Sequence, residues 1–104
     1  MPDDPKLLAE LFRILSDPTR LRLVKLLSES PRSLCVGALT ARLEVTQSAV
    51  SQHLRVLRQA GLVHGERRGN RVHYTLEVSK IKEVMVLFKD TLGDHLPSDD
   101  GYCL

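Results

Sequence analysis

The chain has 104 residues, 42% of them hydrophobic and 27% charged, the size and balance of one globular domain. No apolar run approaches the ~18 residues of a membrane span, and the acidic start MPDDPK lacks the basic-then-apolar pattern of a secretory signal. Two cysteines, no Trp and 4% aromatic residues exclude a disulfide scaffold and a single-strand stacking platform, so a reducing cytoplasm is expected.

The net charge of +2 is unevenly spread. Residues 1–17 are acidic, with Lys6 and Arg13 against Asp3, Asp4, Glu10 and Asp17. Residues 18–71 set ten Arg and Lys against only Glu29, Glu44 and Glu66. Residues 72–104 are acidic again, with Lys80, Lys82 and Lys89 against Glu77, Glu83, Asp90, Asp94, Asp99 and Asp100. The basic middle is either a solvated face or a polyanion-binding surface.

Asp4-Pro5 opens a first helix, since Asp caps and Pro suits the first helical position; Leu8, Leu11, Phe12 and Leu15 follow at helical spacing. Asp17-Pro18 repeats that signal for a second helix with a Leu21, Val24, Leu27 stripe, which Ser28-Glu29-Ser30-Pro31 breaks. A short third helix has Ser33 as cap and Val36, Leu39 and Leu43 as its apolar face. Thr46 caps a fourth helix that runs to about Ala60, where Gly61 stops it.

The period then changes. Residues 62–67 and 71–76 are two strand-like runs around Arg68-Gly69-Asn70, a turn whose Gly and Asn tolerate positive φ. A fifth helix starts near Ser79 with a stripe of Ile81, Val84, Met85, Phe88 and Leu92, and Gly93 ends it. The expected division is a domain over 1–93 and a polar tail over 94–104, DHLPSDDGYCL.

The third and fourth helices make a helix-turn-helix, and the hairpin supplies a wing. The fold class is therefore mainly α with a small β-hairpin: a winged helix of five helices and two strands. On the fourth helix Val50, Leu54 and Leu57 form the buried stripe, while Gln47, Ser48, Ser51, Gln52 and Arg55 face away. Ser, Gln and Arg suit base edges and phosphates, and the first residues of a recognition helix enter the major groove. An ordinary polar surface is the alternative. Arg67, Arg68 and Arg71 crowd the wing, opposed only by Glu66, and suit phosphate contact or minor-groove insertion. His53, at the edge of the buried stripe, reads as a structural histidine rather than a DNA contact; His64 and His73 are not assigned as ligands. No nucleophile–base–acid set and no Gly-rich phosphate loop is present, so an enzyme is not expected.

The segments LSDPTRLRLVKLL (15–27), SLCVGAL (33–39), VTQSAVSQHLRVLRQAGLV (45–63) and GERRGNRVHYTL (65–76) resemble the ArsR/SmtB family of winged-helix metalloregulators over roughly residues 7–92. The resemblance implies a homodimeric repressor that an inducer releases from double-stranded operator DNA. It also implies a dimer interface on helices one and five, here Leu8, Leu11, Ile81, Val84, Met85, Phe88 and Leu92. The arsenic- and heavy-metal-sensing branch carries Cys-Val-Cys at helix three, often with a third Cys three residues later. This chain has Cys35-Val36-Gly37 and Thr40, so only the first thiol matches. The zinc-sensing pair early in helix five would fall on Val78 and Lys80, which are not ligands. Asp94-His95 supplies at most half of the second pair.

Cys35 and Cys103 remain as candidate ligands. Cys35 lies in the first turn of a helix, which favours thiolate. Eleven tail residues span up to ~35 Å, enough for Cys103 to fold back on either subunit. Two thiolates suit a thiophilic metal or metalloid inducer, an arsenic-type ion first, with no ion required for folding; a redox or persulfide switch is the alternative. Cys35 as a packed hydrophobe, and a winged-helix protein-interaction module without DNA, are the further alternatives.

Overall fold

A computed structural model describes residues 4–93. The helices are α1 (Asp4–Leu15), α2 (Pro18–Glu29), α3 (Val36–Arg42), α4 (Gln47–Gln59) and α5 (Val78–Thr91), and the strands are β1 (Leu34–Cys35), β2 (Val63–Arg68) and β3 (Arg71–Leu76). Cys103 and the rest of 94–104 lie outside the described residues. No described helix is long and apolar enough to cross a membrane.

Two of the expected start signals act as their chemistry dictates, while Asp4 falls inside α1 as its first residue rather than capping it. Asp17 caps α2, its carboxylate accepting from the N–H of Thr19 at 2.8 Å and of Arg20 at 3.2 Å. Thr46 caps α4 by accepting from the N–H of Ala49 at 3.1 Å. Gly61 takes φ +76° and closes α4 in a Schellman motif: its N–H donates to the Arg58 carbonyl, and the Leu62 N–H to that of Leu57.

The core gathers Leu8 and Leu11 of α1, Leu23 and Leu27 of α2, Leu39 of α3, Val50, Leu54 and Leu57 of α4, then Leu62, Val63 and Val84. The second helix turns its face one step from the expected stripe. Leu23 and Leu27, four apart, are buried, whereas Leu21 is 49% exposed.

The sheet has three strands rather than two, in the order β1-β3-β2. The added strand pairs Leu34 with Tyr74 and Cys35 with His73. It displaces Ser33 from the expected capping position: Cys35 is the N-cap of α3, and the Ser33 hydroxyl lies 3.4 Å from His73 Nδ1. In the wing, β2 and β3 pair from Val63–Leu76 to Arg68–Arg71. Within this turn Gly69 has positive φ (+65°) and Asn70 does not, the pattern of a II′ turn. α5 begins at Val78, one residue before Ser79.

Candidate nucleic-acid interface

The buried stripe of α4 fixes what the opposite side presents. With Val50, Leu54 and Leu57 fully buried, Gln47, Ser48, Ser51, Gln52 and Arg55 are all exposed on the outward surface of the helix. Beside them the hairpin holds Arg67, Arg68 and Arg71, also exposed. Arg68 lies 3.7 Å from Glu66 in a solvent-facing ion pair, a contact of about 0–1 kcal/mol that a phosphate can outcompete. At the root of the wing Tyr74 leans over Gly65. A Cβ there would come within 3.1 Å of the ring, closer than ordinary van der Waals contact, so the glycine suits this close approach.

His53 is held by its neighbours. Its Nδ1 lies 3.3 Å from Arg20 Nη1 and its Nε2 4.0 Å from Asp17 Oδ1, while Arg20 Nε donates to the Ile14 carbonyl. The ring therefore links α4 to the start of α2, in line with a structural histidine. Sequence reasoning gave Arg20 no role; no periodicity reveals a polar link across 33 positions. His64 lies 3.8 Å from Glu77, and His73 faces Ser33.

Cys35 is half-buried at the junction of β1 and α3. Its sulfur makes no capping hydrogen bond, yet its surroundings favour thiolate. The N–H of Ala38 lowers the thiol pKa most; burial opposes this, and the N–H of Gly37 and the Arg71 charge add to the lowering, so the net shift is downward. Cys35 also lines a cleft of about 710 Å³ with Gln47, Ser51, Asn70 and Arg71. The cleft joins the candidate thiol to residues of both the helix and the wing. A thiophilic ion needs two or three soft donors. Among the described residues no group of three or more His, Cys, Asp or Glu is placed to hold a metal. Cys35 is then the one expected thiol ligand within them, and Cys103 lies outside.

The expected interface residues divide into two sets. Leu8, Leu11 and Val84 are buried in the chain's own core, and Ile81 is half-buried against it. Met85, Phe88 and Leu92 are exposed, together with Phe12 and Val86, which sequence reasoning had not placed there. Phe12 and Phe88 meet edge to face with centroids 5.6 Å apart.

Residues 17–64 match the family described as "Bacterial regulatory protein, arsR family". A transcriptional repressor SmtB homolog of Synechocystis is 41% identical over 98 residues, spanning 94% of this chain and 70% of that protein. The chain belongs to the ArsR family. It is a DNA-binding transcriptional repressor of the ArsR/SmtB type and not an enzyme, which sets aside a module with no DNA partner. The arsenical resistance operon repressor of Escherichia coli is 46% identical over 67 residues, 64% of this chain and 56% of that one. Reduced HlyU from Vibrio cholerae superposes with a TM-score of 0.67 at 33% identity, over 84% of this chain and 90% of that one. These likenesses agree with the winged-helix fold and with the family named from residues 15–76.

Proposed function

We propose that this repressor works in the cytoplasm as a homodimer whose release from operator DNA is triggered at the Cys35 thiol. The N-terminal end of α4 enters the major groove, with Gln47, Ser48, Ser51, Gln52 and Arg55 toward bases and phosphates, and Arg67, Arg68 and Arg71 follow the backbone. Residues 1–93 form the DNA-binding and dimerisation domain, and 94–104 a tail that carries Cys103. The apolar surface of Phe12, Met85, Val86 and Phe88 supports self-association: Met85 is 65% and Val86 56% exposed, and such a patch is costly to leave in water.

The observation that carries the trigger is the shared cleft. Cys35 borders it with Gln47, Ser51 and Arg71, and its thiol is shifted toward the reactive thiolate. Charge or bulk added at Sγ falls beside the residues offered to DNA. A thiophilic ion, arsenic-type first, requires Cys103 of the same or the other subunit as a second soft donor. Oxidation or persulfidation of Cys35 is the second reading, favoured by the likeness to reduced HlyU and by the single thiol within the described residues.

The test is release of a fluorescent duplex by arsenite, by cadmium and by a thiol oxidant, using the wild type, Cys35→Ser and Cys103→Ser. Loss of release in both variants with an ion supports the ion reading. Loss in Cys35→Ser with the oxidant alone supports the second. Normal release in a stably folded Cys35→Ser protein overturns both.

A further inference from the structure

The wing and the cleft beside Cys35 account for cations on one side of the α4 N-terminus. A second cleft, of about 390 Å³, is lined by Thr19, Arg22, Arg42, Leu43, Glu44 and Val45. Arg42 is the last residue of α3, Glu44 and Val45 form the turn into α4, and Thr19 and Arg22 come from the first turns of α2. Both arginines are exposed, and among the described residues neither has a carboxylate partner within ion-pair distance. Arg42 makes only a 3.5 Å contact to the Ala38 carbonyl.

We infer that Arg22 and Arg42, with the Thr19 hydroxyl, form a phosphate clamp on the sugar–phosphate strand that borders the groove entered by α4. When the first residues of a recognition helix are in the major groove, the preceding helix crosses the backbone. The turn 43–45 runs directly into the cap Thr46, so the cleft walls stand at the groove edge. Two guanidinium groups can each present a fork to a phosphate, and a threonine hydroxyl donates one more hydrogen bond. Glu44 in the same cleft opposes the anion and keeps the site weak for free phosphate. These contacts carry no base information; they set register. The inference rests on the reading of α4 as the helix in the groove.

The experiment measures affinity for a mixed-sequence duplex and for a duplex selected from a random library, over a range of salt. Variants are Arg22→Ala/Arg42→Ala, its charge-retaining counterpart Arg22→Lys/Arg42→Lys, and Arg67→Ala/Arg68→Ala. The alanine pair should flatten the log–log salt slope by about 0.9 for each phosphate left without its cation, and weaken both duplexes by the same factor, roughly five- to tenfold per phosphate near physiological salt. The lysine pair should keep most of the slope, which a purely structural role would not predict. Glu44→Gln should tighten both duplexes, and unchanged or weaker binding counts against the clamp. If the wing pair flattens the slope and Arg22→Ala/Arg42→Ala does not, the clamp is overturned while the groove reading stands. If neither pair changes it, both fall.

Discussion

His53 on the recognition helix lies 3.3 Å from the guanidinium of Arg20 on α2. An arginine can only donate, so His53 Nδ1 accepts. The imidazole edge is thus committed to the protein, and the orientation of α4 relative to α2 is set by a polar link as well as by leucines.

Replacing His53 with Ala leaves the half-buried Arg20 without that acceptor. Folding stability should fall by about 1–3 kcal/mol, the range for a hydrogen bond to a charged group together with its desolvation. Chemical denaturation measures this, and an unchanged midpoint would show that the link contributes nothing.

Asp17 makes part of the same link pH-dependent. Burial raises its carboxyl pKa, but the N–H groups of Arg20 and Thr19, with the electrostatic pull of the neighbouring His53 ring and Arg20 guanidinium, outweigh burial, and the net shift is downward. A carboxyl depressed in the folded state stabilises above the ordinary carboxylate range, and that contribution disappears as pH falls through the depressed value. Melting temperature should therefore drop on acidification in the wild type and drop less steeply in Asp17→Asn.

The lowered Cys35 pKa makes its own prediction. Alkylation by iodoacetamide should reach half its plateau rate at a lower pH than in an unfolded Cys35 peptide. Arg71→Ala removes one of the lowering influences, so it should move the midpoint upward. An identical profile for the folded protein and the peptide would remove the case for a poised thiolate.

At the apolar patch, Phe88→Asp places a carboxylate where Phe12 meets the ring. Because Phe88 is 45% exposed in the single chain, the variant should fold and sediment as a monomer. A stable dimer would place self-association on another surface.

Most of the fold was legible because its signals are local. Asp17-Pro18, Thr46 and Gly61 act within one turn of chain, and the α4 stripe runs unbroken from Val50 through Leu54 to Leu57. The departures have separate causes. Two residues of β1 are too few to show a period, and their pairing with Tyr74 and His73 comes from a strand far along the chain. Leu21 misled because α2 is leucine-rich on several sides, so spacing alone did not select Leu23. Asn70 tolerates positive φ, but the turn needs it only at Gly69. The cation pair Arg22 and Arg42 was visible only as charge; cleft geometry brings residues from two helices and a turn together.

The two-residue strand β1 also bears on timing. Net hydrogen bonds contribute about 1 kcal/mol each, so a strand this short is among the cheapest parts of the fold to unzip, and local opening of such elements runs far below the cost of global unfolding. Cys35 is half of that strand and also the residue from which α3 departs. A reagent is therefore expected to reach its sulfur most readily when this strand opens locally. Under the proposed trigger, a modified Cys35 that cannot pair again with His73 would loosen the wing strand and the start of α3 together.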